Sequence, residues 1–390
     1  MMTYRLLFIA NARCLPTAGG VERATLSLAQ SLIAKGHYAA VLYTSSIDIS
    51  GSDVCPIQEF CMPAAEPYHY DAEARRFYRQ LLEREAINVV IFQNAVTDRR
   101  LFFLENASGS VIKIANVNVE ATHRIYPSAR LAEYDCTTLK SGAWWLLWHT
   151  APPLARRLSA KLLARHYRQL ARCADAIVFR AEAHRRAAIA LSGIDDAITC
   201  VVPNSCAFHI AGDEPCAKEK LLLFVGRLVA YKQPLHFLRA WQRLALANPD
   251  WQAAIVGDGP ERASLERYIA RHSIERITLS GQCDPVPYYR RAAILAFTSA
   301  TEGFGNVVVE AMAHGCVPVA YSTAEAMPEV ITPECGIVSS PSPDALAANI
   351  ENLMNSPERL RDMGREAVVR ASAFTPEVIA DKWLTLLSSH

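Results

Sequence analysis

Thr298-Ser299-Ala300-Thr301-Glu302-Gly303-Phe304-Gly305-Asn306-Val307-Val308-Val309-Glu310 decides how this chain is read. An apolar strand, 293–298, runs into a loop punctuated by glycine. From 307 to 314 the pattern is helical, with Asn306 as the expected N-cap. Strand, glycine loop and helix, in that order, are the opening of a parallel βαβ unit. The loop should present the amides of Val307, Val308 and Val309 as unpaired donors, an arrangement suited to a diphosphate. Gly303 and Gly305 let backbone approach a ligand closely. Glu310, one turn into the helix, suits a vicinal diol such as ribose. Glu302 lies eight residues earlier and reaches another part of the same ligand. A lone loop glutamate is usually solvated, and one early in a helix simply opposes the dipole. Their joint placement around glycines and an N-cap is what points to a ligand.

The same alternation continues on both sides of this stretch. Further strands are expected at 221–225, 252–256, 277–280, 317–321 and 336–339, with helices at 235–247, 261–272 and 344–354 between them. That is a doubly wound sheet. The N-terminal half has its own: strands at 4–11, 38–44, 88–92, 111–119 and 175–179, with Gly19-Gly20 opening a helix over 21–35. Helices at 357–372 and 376–388 close the chain. Val202-Pro203-Asn204 breaks the periodicity. The expected division is a first domain at 1–202, a second at 203–372 and a closing helical segment at 373–390. The fold class is α/β, two Rossmann-like doubly wound domains facing a central cleft, with ligands at the carboxyl ends of the strands.

Arg227 and Lys232 follow the strand 221–225 in its first βα loop. There a planar guanidinium and a compact ammonium would neutralise a diphosphate. Two surface cations with solvated heads read equally well from this segment alone. Gly257-Asp258-Gly259-Pro260 follows the next strand, where a tight turn explains it as well as a ligand does.

Together, Gly226-Arg227 with Lys232, Gly257-Asp258-Gly259-Pro260, Glu302 through Glu310 and Ala311-Met312-Ala313-His314-Gly315 resemble the donor-domain signature of family 4 glycosyltransferases (glycosyl transferases group 1). The likeness runs from about 221 to the C-terminus, and more weakly through Gly19-Gly20-Val21-Glu22-Arg23 and Gly36-His37. It implies the GT-B fold and a retaining, metal-independent transferase without a cofactor. It would move a hexose or N-acetylhexosamine from a nucleotide sugar (UDP-sugar first, GDP-mannose next) to a glycan hydroxyl. The acceptor would be lipid-linked, in surface polysaccharide or glycolipid synthesis. By the same resemblance Arg227 and Lys232 bind the diphosphate, Glu310 holds the ribose and Glu302 meets the donor sugar. Backbone amides from Phe304 to Val307, through Gly305 and Asn306, orient that sugar. Gly257 lies in the donor site, Gln282 meets the base through its backbone, and Gly19-Gly20 approach the phosphates. The last helix, with Trp383, packs on the first domain. Departing diphosphate needs positive charge, and no D-x-D triplet is present to hold a metal, so Arg227, Lys232 and helix amides carry that charge. Glu302 is not assigned as a covalent nucleophile.

Many relatives place a histidine after a first-domain strand. Here that place holds Asn118 or Val119, with Asn118, Glu120 and His123 as acceptor-side candidates. Non-catalytic binding of sugar nucleotide or glycan, and a GT-B epimerase or phosphorylase, are the competing functions. Between Asp135 and Asp175 there is no acidic residue. Trp144, Trp145 and Trp148 precede a cationic helix with Leu154, Leu158, Leu162 and Leu163 at helical spacing and Arg157, Lys161, Arg165, Arg168 and Arg172 on another side. The span from Trp144 to Arg172 suits an anionic membrane face, or leucines packed in a core.

Composition narrows the rest. With 390 residues, 51% hydrophobic and a net charge of +1, the chain suits two folded domains rather than a nucleic-acid binder. Eleven cysteines without a C-x-x-C pair suit reduced thiols, and no apolar run nears the length of a membrane span. The expected location is cytoplasmic, peripheral on the inner membrane face.

Overall fold

The computed structural model describes residues 3–15, 19–44, 54–63, 70–93, 95, 101–118, 147, 150–206 and 218–390. They form two compact units. The first contains β1 (Arg5–Ala10), α1 (Gly20–Ala34), β2 (Tyr38–Tyr43), β3 (Gln58–Cys61), α2 (Ala72–Arg84), β4 (Val89–Phe92), α3 (Phe102–Asn106), β5 (Ile112–Asn116), α4 (Pro152–Cys173), β6 (Ala176–Phe179), α5 (Glu182–Ser192) and β7 (Thr199–Val201). The second contains β8 (Glu219–Val225), α6 (Pro234–Ala247), β9 (Gln252–Val256), α7 (Arg262–Arg271), β10 (Ile277–Gly281), α8 (Val286–Arg291), β11 (Ala292–Phe297), α9 (Asn306–Ala313), β12 (Val317–Tyr321), α10 (Met327–Val330), β13 (Ile337–Ser339), α11 (Pro343–Met354) and α12 (Pro357–Ala371). The last helix, α13 (Pro376–Ser388), belongs to the first unit.

Both sheets are parallel throughout. Their orders are β3-β2-β1-β4-β5-β6-β7 and β10-β9-β8-β11-β12-β13. Central strands are covered on both faces and therefore read as unbroken apolar runs: Val89-Val90-Ile91-Phe92 and all six residues of β11 are buried. Each order reverses once, between β1 and β4 and between β8 and β11; in open parallel sheets the carboxyl ends of the strands at such a reversal are where ligands bind.

Two strands were not expected from the sequence. β3 is an edge strand whose residues are exposed or half-buried, and β7 has three residues, so neither carries an apolar run. The domain limit also moves. Ser205 donates from Oγ to the carbonyl of Ala24 at 3.2 Å, which keeps the chain through 206 on the first unit rather than ending it at 202. At the other end the crossing falls between Thr375 and Pro376, where proline opens α13, not at 372. Ile379, Ala380, Trp383 and Leu387 of α13 join Leu26, Leu28 and Leu32 of α1 in one core cluster.

His184 on α5 is fully buried, and among the described residues neither ring nitrogen finds a hydrogen-bond partner. Burial holds its pKa at about 4, below an ordinary 6.5. The folded state therefore keeps the ring neutral while the unfolded chain takes up a proton. Stability is complete above pH 6.5 and falls as pH drops toward 4, by about 3 kcal/mol from this group. Urea denaturation of wild type and His184→Phe across that range should show the variant losing less stability on acidification.

In the second unit three strand ends are locked together through backbone. Gly226 N–H donates to Val256 O at 3.0 Å, Gly257 N–H to Gly281 O at 2.8 Å and Leu228 N–H to Asp258 O at 2.9 Å. A Cβ on Gly257 would lie 2.0 Å from the carbonyl oxygen of Gly226, and one on Gly259 2.6 Å from that of Leu228. Gly257 also sits at φ +138°, outside the range of most side chains. The glycines of Gly257-Asp258-Gly259 are thus required for packing one loop on another. Gly257→Ala should destabilise the second unit by about 3 kcal/mol, read as a lowered melting temperature.

Candidate functional site

Parallel pairing of β8 with β11 brings Arg227 and Lys232 to the same sheet edge as Glu302. The β8 loop turns through a 3-10 segment, Ala230–Lys232, before α6. Thr298, fully buried just past β11, donates from Oγ1 to the carbonyl of Lys232 at 2.7 Å and to that of Gln233 at 3.1 Å. The amide of Ala300 donates to Tyr231 O at 2.8 Å. These bonds fasten the Arg227 loop to the start of the Glu302 loop. The ammonium of Lys232 forms an ion pair with Oε2 of Glu302, both side chains being mostly buried. It also lies 5.6 Å from the ring centre of Phe297 and 5.7 Å from that of Tyr231. Arg227 is exposed at the mouth of this edge, and no carboxylate pairs with it among the described residues.

The entry to α9 differs from expectation. Gly305, not Asn306, is the N-cap, in a left-handed conformation at φ +86°; Asn306 is the first helical residue. Glycine is favoured there by that φ, and a Cβ would also press on the tip of the Met327 side chain, 2.7 Å from its Cε. The amide of Val308 is not an unpaired donor either: it bonds Gly305 O at 2.9 Å and closes a tight first turn. The Phe304 ring is buried edge-on against Phe374, with centroids 5.5 Å apart, so only its backbone is left for a ligand. Gly303 lies between Glu302 and this capped turn.

Glu310 is 2% exposed. The hydroxyl of Tyr289 donates to its Oε2 at 3.0 Å, and His314, stacked on the Tyr289 ring, contacts the Glu310 carbonyl through Nδ1 at 2.8 Å. A carboxylate this deep needs such donors to remain charged. Tyr289 was not singled out from sequence, since a tyrosine in a short helix carries no signal by itself. Gln282 is exposed immediately after β10, next to the Gly257–Gly281 bond.

Gly19, Gly20 and Asn118 belong to the first unit. Gly19 is the extended N-cap of α1 and Gly20 its first residue. Asn118 is fully engaged: Nδ2 donates to Oε1 of Gln93 at 2.8 Å and Oδ1 accepts from Nε of Arg180 at 3.0 Å. Arg180 is 5% exposed, and desolvation lowers its pKa to about 9. It also donates to Val202 O at 2.8 Å. An arginine directly after the apolar strand Ala176–Phe179 was the available signal for this network. Glu120, His123, Val119, Trp144, Trp145 and Trp148 lie outside the described residues.

On α4 the four leucines do not share one face. Leu163 is buried with Ala155, Ser159, His166, Tyr167 and Leu170, whereas Leu154, Leu158 and Leu162 are 49%, 38% and 38% exposed. The exposed three recur every fourth residue, flanked by exposed Arg157, Lys161 and Arg165. Among the described residues no helix is long and apolar enough to cross a membrane.

Comparison with known proteins agrees with this architecture. An uncharacterized glycosyltransferase of Haemophilus influenzae is 29% identical over 174 residues, 44% of this chain and 49% of the relative. The GalNAc-alpha-(1->4)-GalNAc-alpha-(1->3)-diNAcBac-PP-undecaprenol alpha-1,4-N-acetyl-D-galactosaminyltransferase of Campylobacter jejuni is 27% identical over 191 residues, 47% of this chain and 53% of the relative. The chain thus matches about half the length of these curated relatives. The crystal structure of Anabaena HepE in complex with UDP superposes with a TM-score of 0.71 at 18% identity, covering 99% of this chain and 100% of that one. At that identity the likeness concerns the fold, which is GT-B, α/β with two Rossmann-like units. Residues 211–370 of the second unit match the family described as glycosyl transferases group 1.

Proposed function

We propose that the chain transfers a hexose or N-acetylhexosamine from a nucleoside diphosphate sugar to a glycan hydroxyl, with retention and without a metal. UDP-sugar is the first donor class and GDP-mannose the second; HepE, a fold neighbour, was crystallised with UDP. The observation that carries the assignment is the Lys232–Glu302 ion pair beside exposed Arg227, at the reversal point of the second sheet. Loss of diphosphate from the anomeric carbon builds negative charge on phosphate oxygens. Arg227 and Lys232 supply the positive charge that stabilises it. Without donor, Glu302 occupies the ammonium of Lys232. A diphosphate competes for that ammonium, and Glu302 then turns to the sugar. Glu310, held by Tyr289, takes the ribose hydroxyls. Retention follows from attack on the face the diphosphate leaves, with Glu302 as a sugar contact rather than a nucleophile.

A thermal-shift series with UDP, GDP, ADP and their common sugars, in EDTA, tests this. One nucleotide should raise the melting temperature, since a ligand confined to the folded state stabilises by about 2.7 kcal/mol at a hundredfold excess over Kd. Arg227→Ala should abolish the shift. Glu302→Gln should bind the bare nucleoside diphosphate more tightly while losing turnover, because the competitor for Lys232 is gone. No shift with any nucleotide would sink the assignment. A non-catalytic sugar-nucleotide binder is the second reading, favoured by Asn118, which with Val119 is where the family resemblance expects a histidine and whose amide atoms are already engaged. Nucleotide binding without donor turnover, across glycan acceptors, would establish it.

The acceptor is proposed to be lipid-linked, at the inner face of the cytoplasmic membrane. The Campylobacter relative is named for an undecaprenol-linked substrate, and exposed Leu154, Leu158 and Leu162 lie between cations on α4. Each cation near an anionic surface contributes about 1 kcal/mol. Co-sedimentation with phosphatidylglycerol vesicles should fall at least tenfold in Lys161→Glu/Arg165→Glu and weaken with salt. Equal binding to neutral phosphatidylcholine vesicles would refute a charge-directed membrane face.

A further inference from the structure

Two helices of the second unit, α6 and α9, are entered through a left-handed residue. At α9 that residue is Gly305, where the conformation is free. At α6 it is Gln233, at φ +51° and ψ +49°. A glutamine there is strained, because its Cβ crowds the neighbouring carbonyl, and glycine would relieve it. The conformation is over-determined by its surroundings. The Gln233 carbonyl accepts from Thr298 Oγ1 at 3.1 Å and from the His236 amide at 2.9 Å, and its own amide donates to Ala230 O at 3.1 Å. The side-chain Oε1 is shielded from solvent and has no hydrogen-bond partner among the described residues. A buried acceptor left in this state is destabilising. A strained backbone and an orphaned acceptor at one residue, directly after Lys232, are the combination found where a side chain is held for a ligand.

The geometry points to Gln233 as a donor-recognition residue, whose side-chain carbonyl accepts a hydrogen bond from a hydroxyl or acetamido N–H of the transferred sugar. The chemistry selects the sugar over the phosphates. An ionised diphosphate has no proton to offer an acceptor and would be repelled by it. A sugar carries hydroxyls, and its expected protein contact, Glu302, sits on the neighbouring Lys232. This inference rests on the transferase assignment and adds a residue that discriminates a nucleotide sugar from the bare nucleotide.

The test compares Gln233→Gly and Gln233→Met with wild type by calorimetric titration. The probes are UDP against UDP-glucose and UDP-N-acetylglucosamine, and GDP against GDP-mannose. Gly removes the side chain and the strain; Met keeps the length and removes the acceptor. Both variants should lose about tenfold in affinity for the nucleotide sugar that wild type prefers, while holding the bare nucleotide as wild type does. Gln233→Gly should melt no lower than wild type. That outcome separates a sugar contact from a structural role, which would lower the melting temperature and weaken both ligands together. If both variants keep the wild-type margin of nucleotide sugar over nucleotide, or weaken both ligands equally, Gln233 is not a sugar contact. Wild type binding none of the probes would instead remove the transferase assignment, and this inference with it.

Discussion

Parallel pairing of β8 with β11 is the constraint from which the candidate site follows. The two strands are separated by more than sixty residues, yet Ile294 and Leu295 lie in register with Leu222 and Leu223. A parallel ladder aligns the carboxyl ends of its strands, so the loops after β8 and β11 must leave the sheet side by side. That forces Lys232 and Glu302 into contact across seventy residues of sequence. The partners are mostly buried, where an isolated charge of either sign would be strongly destabilising. Thr298, Ala300 and Tyr231 then hold the loops by backbone-directed bonds rather than by further charges.

The glycines of this region divide by physical cause. Gly257 and Gly259 are needed because another loop's backbone lies where a Cβ would be. Gly305 is favoured for its left-handed φ. Neither cause requires a ligand. The first unit shows the opposite economy. At the ends of β4, β5 and β6 a neutral amide network of Gln93, Asn116 and Asn118 meets a buried guanidinium through Asn118. Asn118 is oriented there from two sides.

Most of the architecture was legible in the sequence. Gln252–Val256, Val317–Tyr321 and Pro376–Ser388 fall where the apolar pattern places them. Strands buried on both faces and amphipathic helices announce themselves by composition and period, which are local properties. Edge strands β3 and β7 were not legible, because a half-exposed strand has no such run. The α4 leucines show the limit of periodicity: Leu162 and Leu163 are neighbours in sequence and end on opposite sides of burial. Asn306 has the chemistry of an N-cap, but the turn needed a left-handed residue one position earlier, which backbone geometry decided.

By itself the sequence determined two doubly wound units and the loops that carry glycine and charge, since these depend on contacts within a few residues. Tertiary structure alone decided which of those residues touch. The Lys232–Glu302 pair, the Tyr289 hydroxyl on Glu310, the Arg180–Asn118–Gln93 network and the strained Gln233 all arise from chain segments brought together by strand order. Strand order is set by long-range burial and handed crossovers, and no single segment encodes it.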